Sequence, residues 1–353
     1  MSPLSALVLA AAGGDMSAAA RYRQLVVMSV LYLLLAAVIA ALAGGFWLIN
    51  LTAAYASMLA LMGTNLLFGQ LGLVSLCQFA LVGIGGWVAL YVFHNWHWPF
   101  EPAMLAAGVV AALVGVIWGL PALRFRGIYL ALVTLMLAGA FQAFINAYNF
   151  PVGASGAGGV TLQRFMIDRP FVAESDLGFF FYTAVVCLIG LIIVEIHRRS
   201  KPGRAWALIR KHPQLAVASG VRIFAYQAWA FALAGFLAGI GGALLAGTYR
   251  QLDSSGFGAS ESITLFAASV LGGTTNWVGT VIGGLLVRAV PTLLDNAGVS
   301  ATVGLAIFGF ALMMAIIGGP AGLAGLFDDL VDKIVSRQEK ATAEKSSKEH
   351  PAP

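Results

Sequence analysis

Charge in this 353-residue chain is confined to a few islands. No Asp, Glu, Lys or Arg occurs from Gln24 to Phe100, from Gly127 to Gln163, from Ile223 to Tyr249, or from Asn296 to Phe327. With 60% hydrophobic and only 10% charged residues, the chain lacks the polar surface that would coat a soluble globule of its length. It reads as a polytopic membrane protein. The net charge of +5 belongs to loops and a basic tail rather than to a nucleic-acid footprint. Anionic membrane lipid is the expected counterpart, and no nucleic acid is expected to bind.

A bilayer core about 30 Å thick takes about 20 apolar residues per helix. Such runs fall near 25–45, 47–67, 71–93, 103–120, 128–147, 177–196, 226–247, 262–275, 277–294 and 301–319. Two divisions are weak: one at Asn65, Gly69 and Gln70, the other at Gly272-Gly273-Thr274-Thr275-Asn276. The expected fold is therefore an all-α polytopic membrane protein of about ten transmembrane helices. The range is eight to ten, with broken helices near 65–78 and 270–277. Irregular backbone at membrane depth is tolerated only where protein or a water-filled cavity satisfies it.

Ten spans put Arg21, Arg23, Arg124, Arg126, the basic stretch His197–Arg222 and the Lys-rich tail on one side. Short basic loops stay in the cytoplasm, so both termini are expected there, with His94–Pro102 and Tyr148–Asp176 outside. The implied division is a cytoplasmic segment 1–24, a transmembrane domain 25–325 with a cytoplasmic loop 197–222, and a tail 326–353 that is largely disordered. Leu4–Ala12 is apolar like a signal-peptide core but has no Lys or Arg before it. Met16 opens a more ordinary start, so residues 1–15 are expected to be dispensable.

Cys77 and Cys187 lie in apolar segments and read as small buried side chains, with neither a disulfide framework nor a metal site by spacing. His94 and His97, beside Trp96 and Trp98, fit an aromatic interface belt better than a metal site. No GxxxxGK[ST] loop occurs, so no P-loop nucleotide site is expected in this chain. Ion-coupled transporters carry titratable groups within their spans. Here Glu195, Glu261 and Asp295 fall at span ends, and Arg288 alone lies deep, about eleven residues into the 277–294 run. Arg288 could snorkel, pair with a partner subunit, or meet a substrate carboxylate. Thr64, Asn65, Gln70, Ser75 and Gln78 cluster at the first break. Helix–helix hydrogen bonding explains them; so does a translocation path lined by amides and unwound backbone.

Seven of the twenty Lys and Arg residues lie between His197 and Arg222, with no acidic residue among them. After Pro202, the stretch Gly203–Arg210 predicts a short helix with Ala205, Leu208 and Ile209 on one face and Arg204, Arg210 and Lys211 beside it. Pro213 closes it. A second small piece, Leu215–Ser219, stops at Gly220. Such a helix can lie on anionic lipid or dock on a cytoplasmic partner.

The pattern Gly203-Arg204-Ala205, Ile209-Arg210, Ala216 and Ala218-Ser219-Gly220-Val221 resembles the coupling loop of branched-chain amino acid ABC importer permeases of the LivM type (LivH/LivM family). The likeness recurs in order at Gly69–Leu76, Phe79 and Gly83–Gly86, at Leu120–Arg124 and Gly127–Thr134, at Phe236–Leu244, and at Val270–Gly273 with Gly279–Gly284. Cys77-Gln78 stand where the family often has Gly-His, and Lys211-His212-Pro213 where acidic residues are common. The resemblance implies a non-catalytic permease subunit in a bacterial inner (cytoplasmic) membrane. Its implied partners are a second, LivH-like permease, two cytoplasmic ABC ATPases that carry the ATP, and a periplasmic substrate-binding protein; no cofactor is implied for this chain. Gly203, Arg204, Ala205, Leu208, Ile209, Arg210 and Gly220 would form the ATPase-coupling loop, and Asn65, Gln70, Ser75 and Gln78 the path. Leu, Ile and Val are the implied substrates, with urea, short amides or aromatic acids as alternatives. An ATP-independent channel or facilitator is the competing class.

Overall fold

A computed structural model describes residues 18–122, 124–125, 127–148, 167–250, 252, 254–274, 276–298, and then positions 303, 304, 306, 309, 310, 313 and 322–325. The first 17 residues, residues 149–166, most of the expected span 301–319 and the tail from 326 lie outside the described residues.

Every regular element among the described residues is helical. In chain order these are α1 (Ala18–Leu42), α2 (Gly45–Asn65), α3 (Gln78–Trp96), α4 (Phe100–Ala122), α5 (Ile128–Tyr148), α6 (Asp176–Arg199), α7 (Lys201–Lys211), α8 (Pro213–Ala218), α9 (Ile223–Tyr249), α10 (Ala259–Gly272) and α11 (Trp277–Asn296). Eight of them, α1 to α6 with α9 and α11, are long and apolar enough to cross a bilayer. The fold is all-α and multi-pass, as composition required. The run expected at 262–275 is α10, whose 14 residues rise only about 21 Å at 1.5 Å each, short of a full crossing.

Both breaks occur where polar and glycine residues interrupt the apolar runs. At the first, α2 passes into one π-helical turn, Leu66–Gln70, and then into non-helical backbone at 72–77 before α3 begins. At the second, α10 and α11 are separated by residues 273–276.

The centre of the bundle is α9, buried through Ala230–Thr248 and packed against α2, α3 and α4. Small residues let these helices close on one another. A Cβ on Gly85 of α3 would stand 2.3 Å from the Gly239 backbone of α9, so only glycine permits that crossing. Tyr32 of α1 is fully buried against Tyr55 of α2, which meets Phe180 of α6 edge-on. Leu34 and Leu42 of α1 and Leu113 and Ile117 of α4 point outward, as side chains facing lipid do. Both cysteines are buried; the Cys187 thiol donates to the Tyr55 carbonyl at 2.7 Å, and Cys77 Sγ lies 3.3 Å from Ser75 Oγ.

Local signals explain the ends of α6. Ser175 caps it by accepting from Gly178 N at 3.0 Å, Asp176 opens its first turn, and His197, Arg198 and Arg199 close its last, matching the helix dipole at both ends. Beside its start, Arg169 donates to the carbonyls of Gly247 and Thr248 at the end of α9, pairs with Asp176 at 2.7 Å and stacks on Phe179. That clamp holds one face of the bundle. The opposite face carries α7 and α8.

Candidate coupling surface and translocation path

The basic stretch folds as a helical pair. Lys201–Lys211 is helical with Pro202 in its first turn, where a missing N–H costs nothing, and Pro213 opens α8 in the same way. α8 ends at Gly220, whose φ of +76° suits glycine. Val221 N bonds the Ala216 carbonyl and Gly220 N the Val217 carbonyl, both at 2.9 Å, a Schellman closure. At the start of α7, a Cβ on Gly203 would overlap the Arg198 carbonyl, so glycine lets α7 fold back tightly on α6.

The expected inner face is present: Ala205 and Ile209 are buried and Leu208 is half-buried. Its main anchor is a residue the periodicity argument left out. Trp206 is fully buried and donates its indole N–H to the Tyr226 carbonyl, in the first turn of α9, at 2.8 Å. An amphipathic pattern counted over Ala, Leu and Ile misses Trp206 because tryptophan fits an interface as well as a core.

The two arginines of α7 do different things. Arg204 is exposed. Arg210, also exposed, donates through Nη1 to the Gly69 carbonyl and lays its stem against Gly72. Gly69 lies in the π-helical turn. A Cβ there would stand 2.5 Å from the Thr274 carbonyl, so the turn is wedged against the α10–α11 connection as well. One residue thus touches the basic loop and both broken segments.

Above this contact, Asn65 is buried and bridges the two helices that flank the second break. Its Nδ2 donates to Thr280 Oγ1 at 2.9 Å, and its Oδ1 accepts from Ser269 Oγ at 2.5 Å. Asn65 and Gln70 line one cleft together with Glu195 and Arg198 of α6 and Thr274, Asn276 and Thr280. Glu195, the buried acidic side chain among the described residues, holds Arg198 at 3.2 Å and Arg199 through Nε. The space within the cleft, about 40 Å³, holds a few waters and no amino acid.

Of the four residues expected to line a path, the structure brings Asn65 and Gln70 together. Ser75 and Gln78 lie past the π-helical turn, outside that cleft. Ser75 is buried against Cys77. Gln78, in the first turn of α3, is 1% exposed and neither atom of its amide has a partner among the described residues. Glu195, Thr274 and Thr280 were not expected beside Asn65 and Gln70. Thr280 lies far away in sequence, and Glu195 reads locally as a helix-end charge.

A family model described as branched-chain amino acid transport system / permease component matches residues 48–317. The high-affinity branched-chain amino acid transport system permease protein LivM of Escherichia coli (strain K12) is 25% identical over 283 residues, which is 74% of this chain and 66% of that protein. The protein of the same name from Salmonella typhimurium matches to the same extent. The probable branched-chain amino acid transport permease protein LivH of Methanocaldococcus jannaschii is 25% identical over 189 residues, 52% of this chain and 57% of that protein. The chain therefore spans just under two thirds of the length of the LivM relatives it matches. No solved structure matches it.

Proposed function

We infer, since this chain belongs to the branched-chain amino acid transport system permease family, that it is a membrane subunit of an ATP-driven importer. It spans a bacterial inner membrane with α7 and α8 on the cytoplasmic side, following the bias of basic loops. A second permease completes the pore, two cytoplasmic ATPases hydrolyse ATP, and a periplasmic binding protein delivers the solute. The solute is a branched-chain amino acid. This chain carries no catalytic role of its own.

The observation that carries the reading is the bond from Arg210 to the Gly69 carbonyl. It joins the cytoplasmic helix pair to the π-helical turn, and the turn adjoins Thr274 on the wall of the cleft. ATP-driven closure of the ATPases pushes on the exposed side of α7, where Arg204 stands. Trp206 and Arg210 pass that displacement to α9 and to the turn, and the cleft beside Asn65, Gln70 and Glu195 opens. A π-helical turn suits such a hinge because its backbone bonds are already irregular. The device has two states, and nucleotide on the partner biases them.

Affinity-tagged chain purified from its native host tests this. The expected result is co-purification with an ABC ATPase, and leucine uptake into liposomes that requires ATP inside the reconstituted system. Uptake that persists after ATP is depleted contradicts the importer and favours a facilitator.

A further inference from the structure

The span α11 carries a cation for which the coupling device has no use. Arg288 sits well inside α11, where an arginine is costly unless something pairs with it. Among the described residues it makes no ion pair, and its Nε is buried without a hydrogen-bond partner. Its guanidinium lies 5.8 Å from the ring centroid of Phe79 in α3. Phe79 stacks in turn on Phe257, just before α10, with centroids 5.8 Å apart. The residue preceding Phe79 is Gln78, the buried amide with both atoms unpartnered. Two helices and the turn before α10 therefore bring a half-buried cation onto two stacked aromatic rings, with an unsatisfied amide one residue along α3.

Buried polar groups are normally satisfied, and each exception calls for a missing partner. The groups here lack complementary things. Arg288 lacks an anion that fits its planar donors, for which a carboxylate is the natural match. Gln78 lacks both a donor for its oxygen and an acceptor for its nitrogen. The Phe79–Phe257 pair supplies apolar surface beside Arg288. A zwitterionic amino acid with an apolar side chain carries all three complements. Urea and short amides lack the anion.

We propose that Arg288 and Gln78 are solute-recognition residues of the translocation path, with Arg288 taking the carboxylate of a transported apolar amino acid and Gln78 a second polar contact beside it. This rests on the permease reading above and names the residues that hold the solute's carboxylate. The guanidinium rests on Phe79, a cation–π contact that a carboxylate can supplement or displace.

The experiment is ATP-driven leucine uptake by the complete transporter in liposomes, comparing wild type with R288K, R288Q and Q78L. R288Q is expected to assemble with its partner subunits and to lose about tenfold to a hundredfold in uptake, the worth of a hydrogen bond to a charged group. R288K, which keeps the charge and loses the fork, should recover part of the rate. Q78L exchanges an unsatisfied amide for an apolar side chain of similar size, so it should melt no lower than wild type and transport about fivefold more slowly. Wild-type uptake by both R288Q and Q78L overturns the inference and leaves the permease reading standing. An R288Q chain that no longer binds the second permease also overturns it, because Arg288 then holds a carboxylate of that partner. A wild-type transporter that moves no leucine with ATP is a failure of the underlying reading, and this inference falls with it.

Discussion

Arg210, on a helix at the face of the bundle, donates to the main-chain carbonyl of Gly69 within the π-helical turn, 141 residues earlier in the chain. A guanidinium on a neutral carbonyl is a directional tie that needs no counter-charge. It fixes α7 to the first broken helix, and Gly69 fixes that helix to the second break through its contact with Thr274. Two contacts therefore connect α7 to the cleft that Thr274 lines.

Arg204 and Arg210 should behave differently although both are arginines on one helix. Arg204 is exposed, so R204E should leave the chain folded and weaken its hold on the ATPase about tenfold or more, as reversal of an interface charge does. Pull-down of the ATPase by the tagged chain measures this. Binding equal to wild type would remove Arg204 from the docking surface.

Trp206 should matter for seating α7 rather than for docking. W206A leaves a large void and unseats the helix, at a cost of about 3–5 kcal/mol. W206F keeps most of the ring and loses the bond to the Tyr226 carbonyl, at about 1 kcal/mol. Melting temperatures in detergent should fall in the order wild type, W206F, W206A. Equal melting of all three would mean that α7 is held elsewhere.

Asn65 ties Ser269 of α10 to Thr280 of α11. N65A should lower stability by about 1–2 kcal/mol, since it leaves two buried hydroxyl groups without that partner. Read by the same melts, T280A should add little on top of N65A, because the two side chains share one bond. Full additivity would show that the bridge contributes nothing.

The legible parts of this molecule were those set by local chemistry. Charge-free runs dictate membrane helices, and Pro202, Pro213 and Gly220 punctuate the basic stretch where α7 and α8 begin and end. Asn65, Gly69 and Gln70 mark a break in α2 for the same reason, being poor material for a continuous apolar span. What stayed hidden depends on distant partners. No spacing rule announces that Arg210 bonds Gly69, that Asn65 meets Ser269 and Thr280, or that Glu195 borders the cleft. The separation of Gln78 from Asn65 was hidden too. A π-helical turn followed by non-helical backbone at 72–77 rotates and carries the chain away, and hydrophobic periodicity has no signature for it.

Coupling of the cytoplasmic helix pair to the cleft through Arg210 is tested by leucine uptake per ATP hydrolysed in the reconstituted transporter. R210Q removes the charged donor while Trp206 still seats α7. R210Q is expected to bind the ATPases and hydrolyse ATP still, while uptake per ATP falls about tenfold, the scale of one hydrogen bond to a charged group. An R210Q transporter with wild-type uptake per ATP would contradict it.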